Sequence, residues 1–219
     1  MTRKASFIFL ISVLLFLLYT SFIKKEKEFI GKITYSIKTN SVKTDAASQK
    51  KLADMFGTEM TLYIKNGDNV RQYNGNDVSK VYYLKSSNKE YSKRKNHDSL
   101  FVLSCDTFSE KFLNYKRIDS TVMVNQRPCK ILIMESEFSK KYHYKSTYYY
   151  DASLFINPTD YQNRKFGFVN MYYEFSKAQW LKYVLETKTY SITYTATKIE
   201  KGRVNDSIFK LPNLPMTHW

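Results

Sequence analysis

With 219 residues, 43% hydrophobic and 25% charged, and only 6 Gly and 4 Pro, the chain can bury a sizeable core, and a long disordered region is excluded. Lys and Arg number 35 against 20 Asp and Glu, a formal net charge of +15 that attracts anions such as nucleic acid, anionic lipid headgroups or acidic polysaccharide. The cations are scattered in twos and threes (Lys50–Lys51, Lys93–Arg94–Lys95, Lys116–Arg117, Lys140–Lys141), which favours a solvated surface over one basic arm.

The first element is the apolar run Phe7 to Phe22, preceded by Arg3 and Lys4 and followed by Lys24, Lys25 and Lys27. Roughly 16 helical residues reach about 24 Å, short of the ~30 Å hydrocarbon core. A basic flank and an apolar core of this length describe an export signal. The exit Leu18-Tyr19-Thr20-Ser21-Phe22 lacks a small-x-small cleavage site, so an uncleaved anchor is the alternative. Lysines on both sides leave the orientation open by positive-inside counting. The expected organisation is a signal peptide or signal anchor over 1–27, one β-rich domain over 28–212 and an irregular tail over 213–219. Export then places the domain in the periplasm or outer-membrane-facing envelope, inner-membrane-anchored if the segment is kept.

The 19 Tyr and 15 Phe suit half-buried pleated surfaces, and the periodicities agree. Ile33, Tyr35 and Ile37 alternate with polar residues within Glu28–Thr39, the period of a strand. Leu52, Met55 and Phe56 follow a Thr44–Asp45 start signal and precede Gly57, which predicts a short amphipathic helix. Met60, Leu62 and Ile64 alternate up to the turn Asn66-Gly67-Asp68-Asn69. Val70, Gln72 and Asn74 answer it, with Arg71 and Tyr73 on the other face. After Asn74-Gly75-Asn76-Asp77 come Lys80–Ser86, with Val81 and Tyr83 in register, the turn Ser87-Asn88, and Lys89–Lys93. Loops this short join antiparallel neighbours.

Leu100–Leu103 is a further apolar piece. Asp106–Tyr115 predicts one or two helical turns, because Thr107 and Glu110 have capping-box spacing and Phe108 and Phe112 share a face. Thr121–Val124 and Cys129–Glu135 predict a hairpin across Asn125-Gln126, with Cys129, Ile131 and Ile133 facing one way. Tyr142–Tyr150 is an aromatic-rich strand. Asp151–Trp180 gives no clear assignment: Asn157-Pro158-Thr159-Asp160 is a turn or helix start, and Phe168–Phe175 fits helix and strand equally. Lys182–Thr187 and Tyr190–Lys198 form the last hairpin.

Chemistry is sparse. The six glycines make no phosphate loop, and His97, His143 and His218 lack a second ligand at metal spacing, so no cofactor or metal is indicated. No Gly-flanked Ser forms a nucleophile elbow. Cys105 with His97 or His143 is a weak dyad candidate, and Glu135 with Glu137 reads first as the solvated face of a strand. Cys105 and Cys129 form either a disulfide, worth roughly 3–4 kcal/mol over a loop of about 24 residues in an oxidising compartment, or two buried thiols; the two stand even. Basic–aromatic mixtures such as Lys89, Tyr91, Lys93, Arg94 or Tyr142, Tyr144, Lys145, Tyr148 could stack single-stranded nucleic acid, but an exported domain meets little of it. Asp98-Ser99-Leu100, Asp119-Ser120-Thr121 and Asp206-Ser207-Ile208 match the short acceptor pattern of periplasmic O-glycosylation.

Four stretches carry a family likeness: Gly31-Lys32-Ile33-Thr34-Tyr35, the hairpin from Met60 to Arg71, the hairpin Val124-Asn125-Gln126-Arg127-Pro128-Cys129-Lys130-Ile131, and the closing Asn205 to Pro212. Together they resemble a group of secreted β domains of Gram-negative envelopes, distantly similar to the LolA/LolB-like lipoprotein carriers. Where many relatives have Gly in the turn before the Cys, this chain has Gln126-Arg127. The resemblance implies a mainly β (α+β), single-domain curved antiparallel sheet or incomplete β-barrel with a few short helices, LolA-like, whose concave face is apolar. Leu62, Ile64, Val81 and Tyr83 are the expected lining. It further implies a non-catalytic binding protein with a lipid or other amphiphile as ligand. The alternative is an envelope module that docks on anionic lipid, polysaccharide or a protein partner through its basic face.

Overall fold

The computed structural model describes residues 27–42, 45–138 and 142–218. The Phe7–Phe22 run, and the reading of it as leader or anchor, lies outside them. Among the described residues, no helix is long and apolar enough to cross a membrane.

In chain order the strands are β1 (Gly31–Ser41), β2 (Glu59–Lys65), β3 (Asp68–Tyr73), β4 (Val78–Leu84), β5 (Lys89–Arg94) and β6 (Leu100–Ser104). Then come β7 (Lys111–Val124), β8 (Arg127–Phe138), β9 (Tyr142–Phe155), β10 (Ala178–Glu186), β11 (Tyr190–Lys201) and β12 (Met216–His218). They make one curved, unclosed sheet in the order β12-β6-β5-β4-β3-β2-β1-β11-β10-β9-β8-β7. The curved sheet with few helices is as expected, but it is mixed rather than wholly antiparallel. The tail read as irregular supplies β12, which runs parallel to β6.

Two meanders therefore flank β1. The first follows from its turns: Asn66 and Gly67 both have positive φ (52° and 86°), the conformation a two-residue hairpin demands. That turn sets Ile64 opposite Asn69 and Leu62 opposite Arg71. The helix over Ala46–Phe56 (α1) starts and stops where expected; the Asp45 carboxylate accepts from Ser48 N at 2.7 Å, and Gly57 caps it at φ 73°. None of its residues is buried, so it rests on the rim of the sheet, fastened by Gln49 to the backbone of Thr39 and Ser41.

Two expectations need correction. Asp106–Tyr115 is not helical, since β7 begins at Lys111, and the Glu110 carboxylate accepts from Ser136 Oγ at 2.7 Å rather than capping a helix. In β8 the core side is not Cys129, Ile131 and Ile133 throughout. Leu132 and Met134 join Cys129 in the core instead. The partner strand β7 is bulged between Ile118 and Val122, where it carries extra residues opposite Cys129–Ile131. At the tip of this hairpin Asn125 and Gln126 both have positive φ (47° and 59°), and Gln126 stands where Gly fits without penalty. Gln126→Gly is expected to raise stability by about 0.5–1 kcal/mol, the relief of a left-handed side chain less the entropy Gly loses on folding. A urea melt of the two proteins measures it.

The sheet has a core on each face. On the convex side Val70, Tyr82, Tyr91 and Val102 stand in one cross-strand row, covered by Ile208, Phe209 and Leu211 of the tail. The concave side carries the larger core, including Ile33, Tyr35, Ile37, Leu62, Ile64, Leu132, Leu154 and Leu181. Residues 156–177, the stretch that sequence left unassigned, connect β9 to β10 by folding into this concavity. They comprise two short 3-10 turns, Pro158–Tyr161 and Phe166–Phe168, and the helix α2 (Val169–Ser176), and they bury Tyr161, Arg164, Tyr172 and Tyr173.

Candidate ligand site in the concave face

Between the sheet and this insertion lies a cavity of about 210 Å³. From the sheet come Leu62, Ile64, Asn69, Arg71, Glu90, Tyr148, Trp180 and Tyr183; from the insertion come Arg164, Tyr172, Tyr173 and the half-buried Phe166, Gly167 and Val169. Strand pairing explains why polar groups reach it. Leu62, Arg71 and Val81 share one cross-strand row, and Ile64, Asn69, Tyr83 and Glu90 the next, so Arg71 and Glu90 share the core-facing side with the apolar residues.

Arg71 Nη2 donates to Glu90 Oε1 at 2.7 Å, and Arg164 Nη2 of the insertion donates to the same oxygen. Burial alone would raise the Glu90 carboxyl, but the guanidiniums of Arg71 and Arg164 outweigh it and hold Glu90 below the ordinary carboxylate range. Arg164 also lies over the Tyr83 ring, 4.0 Å from its centroid. The neighbouring polar groups are mostly paired: Tyr173 OH donates to Gln179 Oε1 at 2.8 Å, Tyr172 OH to Ala178 O at 2.9 Å, and Tyr35 OH to Trp180 O at 2.8 Å. Burial pushes the Tyr173 phenol up to about 12, although both arginines pull it the other way. Ring contacts between the two, Tyr148 of the sheet with Tyr172 of the insertion at 4.3 Å and Tyr83 with Tyr161 at 5.7 Å, join the insertion and the sheet into a continuous aromatic wall.

Of the expected lining, Leu62 and Ile64 border the cavity. Tyr83 lies under the Arg164 guanidinium, and Val81 is buried one row away, beside Arg71. The hollow is not apolar throughout, because an Arg–Glu–Arg cluster occupies its middle. Alternation alone missed Arg71, Glu90, Arg164 and Gln179.

Both cysteines are buried free thiols, the second of the two alternatives left open for them. Burial, with Glu90 adding to it, pushes Cys105 up to about 11; burial and then Asp151 do the same for Cys129. Such thiols stay protonated at neutral pH, the reverse of an activated nucleophile. Glu135 and Glu137 face Lys145 and His143 across the β8–β9 pair, and Glu137 lies 3.7 Å from Lys111 in a charge ladder at the surface. Among the described residues, no His/Cys/Asp/Glu group is arranged to hold a metal ion. Tyr91 of the basic–aromatic stretch is buried in the convex core rather than presented as a stacking platform.

No protein-family model matches the chain, and no curated protein matches it. Solved structures that it resembles include those of PNGF-II in the C2 and P21 space groups, at 9% identity and TM-scores of 0.44 and 0.46. The match covers 86% of this chain but only 31% and 32% of those, so the chain spans about a third of their length.

Proposed function

We propose that this chain is a non-catalytic binding protein of the cell envelope that holds a small ligand, the acidic end of an amphiphile included, in its concave face. The observation that carries the reading is the cavity between the sheet and residues 156–177, with an aromatic wall and a few polar groups at its centre. That combination is the usual make-up of a small-molecule site. At about 210 Å³ it lies below the ~300–1,000 Å³ of sites for drug-sized molecules, so a whole lipid would enter only with the insertion displaced. The export-signal character of Phe7–Phe22 and the acceptor-like Asp-Ser sites support an envelope location. Native mass spectrometry of the full chain purified from a bacterial envelope fraction is expected to show a stoichiometric small adduct, identifiable after organic extraction. A chain that emerges empty from every preparation would overturn the reading.

A second reading has one observation in its favour. A groove at the end of β1 and β11 is lined by Lys27, Lys65, Lys201 and Arg203, close to where the N-terminal segment joins the domain, and its acidic residue is Glu28. It would suit anionic headgroups, and such contact would fade as salt rises.

A further inference from the structure

We infer that the concave cavity is an anion site, built for a small carboxylate or phosphate carried on a compact apolar body, with Arg71 and Arg164 as its ligands. The inference rests on the binding role proposed above and names the chemistry of what binds.

Charge is the first argument. The cavity wall contains two guanidiniums and one carboxylate, which leaves one positive charge uncompensated at the site itself. Arg164 is 5% exposed, so bulk water screens that charge poorly.

Hydrogen-bonding capacity is the second. Both guanidiniums converge on a single oxygen, Glu90 Oε1, although each carries five N–H donors. The Nε of Arg71 and the Nε of Arg164 are both buried without a hydrogen-bond partner. Buried donors in native proteins are rarely left so, and where they are, an unseen ligand is among the first explanations. Around them the hydroxyls of Tyr172 and Tyr173 and the Gln179 amide are already committed to protein partners. The donors left over include those of the two arginines, and an acceptor-only, negatively charged group matches them.

Shape is the third. Leu62, Ile64, Phe166, Val169, Trp180 and Tyr183 complete the wall, so what is attached to the acid is apolar or aromatic and no larger than a single ring or a short chain. A cation would meet two guanidiniums, and a neutral isostere would leave their donors unpaired.

The test uses the fluorescence of Trp180, which lines the cavity; Trp219→Phe leaves it as the sole tryptophan of the chain. The full-length variant is titrated at pH 7 with benzoate, phenyl phosphate, octanoate, benzyl alcohol and benzylamine. We expect at least one of the three anions to bind tenfold or more tighter than benzyl alcohol, benzylamine not to bind, and Arg71→Gln to bring the anion down to the affinity of the alcohol. Binding of the ring acids identifies a free small acid as the ligand type, and binding of octanoate alone identifies the head of an amphiphile. If none of the three anions binds more tightly than benzyl alcohol, the anion site is overturned while the cavity remains a binding site. No binding of any probe, with no shift in melting temperature, overturns both. The ligand comparison is made with Arg71 intact, so it stands even if Arg71→Gln fails to fold.

Discussion

Glu90→Gln is expected to destabilise the domain by about 3–5 kcal/mol, the range for removing one partner of a buried ion pair and leaving its charge uncompensated. Here two charges are stranded, since Arg71 and Arg164 both spend a nitrogen on Glu90 Oε1. The glutamine keeps the shape of the side chain and loses only its charge, so the loss reports electrostatics rather than packing. Acid titration tests the same electrostatics from the other side. The Glu90 carboxyl is held below its ordinary value of 4.5 in the folded chain, so the unfolded chain takes up the proton first as pH falls. Its contribution is therefore complete above about pH 4.5 and drains away as pH falls through the depressed folded value. Urea melts of wild type and Glu90→Gln should differ most at pH 6–7, and the difference should shrink as pH falls below about 4.5. A constant difference across that window would mean that Glu90 acts through packing. A difference below about 1 kcal/mol at pH 7 would mean that water in the cavity already solvates the guanidiniums.

Tyr161→Ala is the second large effect, with an expected loss of about 3–5 kcal/mol, the range for truncating a fully buried large aromatic. The ring is 0% exposed and lies between Tyr83, 5.7 Å away, and Tyr173, 4.2 Å away, with the Arg164 guanidinium near its face. It belongs to the insertion but packs on the sheet, so its removal opens a void where the two meet. Set against a total stability of about 5–15 kcal/mol, such a loss brings the domain close to unfolding at moderate temperature. Met123→Ala, at an exposed position of β7, should stay within about 0.5 kcal/mol and serves as the control in the same thermal melts.

The half of the fold from Gly31 to Leu103 was legible because its turns are local. Asn66-Gly67 sets a two-residue loop, and counting outwards from it pairs Ile64 with Asn69 and Leu62 with Arg71. The signal that Arg71 faces inward was thus present in the register, although alternation alone does not reveal it. Glu90 is recoverable in the same way, directly opposite Tyr83 on the neighbouring strand. Arg164 is not. It stands in a stretch with neither period 2 nor period 3.6, whose conformation is decided by what the concavity of the sheet will accept. Lys165 N is tied to Cys105 O at 2.7 Å and Lys85 Nζ to Asp160 at 2.5 Å, contacts that no local pattern encodes. The false helix at Asp106–Tyr115 arose for a related reason: Glu110 found its partner on β8, across the sheet, instead of three residues back.

The place of β1 has a consequence for how the molecule comes together in time. This strand is the first of the described chain, yet its neighbour in the middle of the sheet is β11, with Gly31 paired to Lys201. Each meander can assemble from contacts close in sequence, while the seam between them waits for residues near the far end. Chains whose decisive pairings are this distant fold slowly, on the order of milliseconds to seconds, because loop-closure entropy is spent before the contact repays it. A nascent chain therefore remains two separate halves, with the aromatic faces of both uncovered, until β11 has emerged. The concave pocket is among the last features to exist.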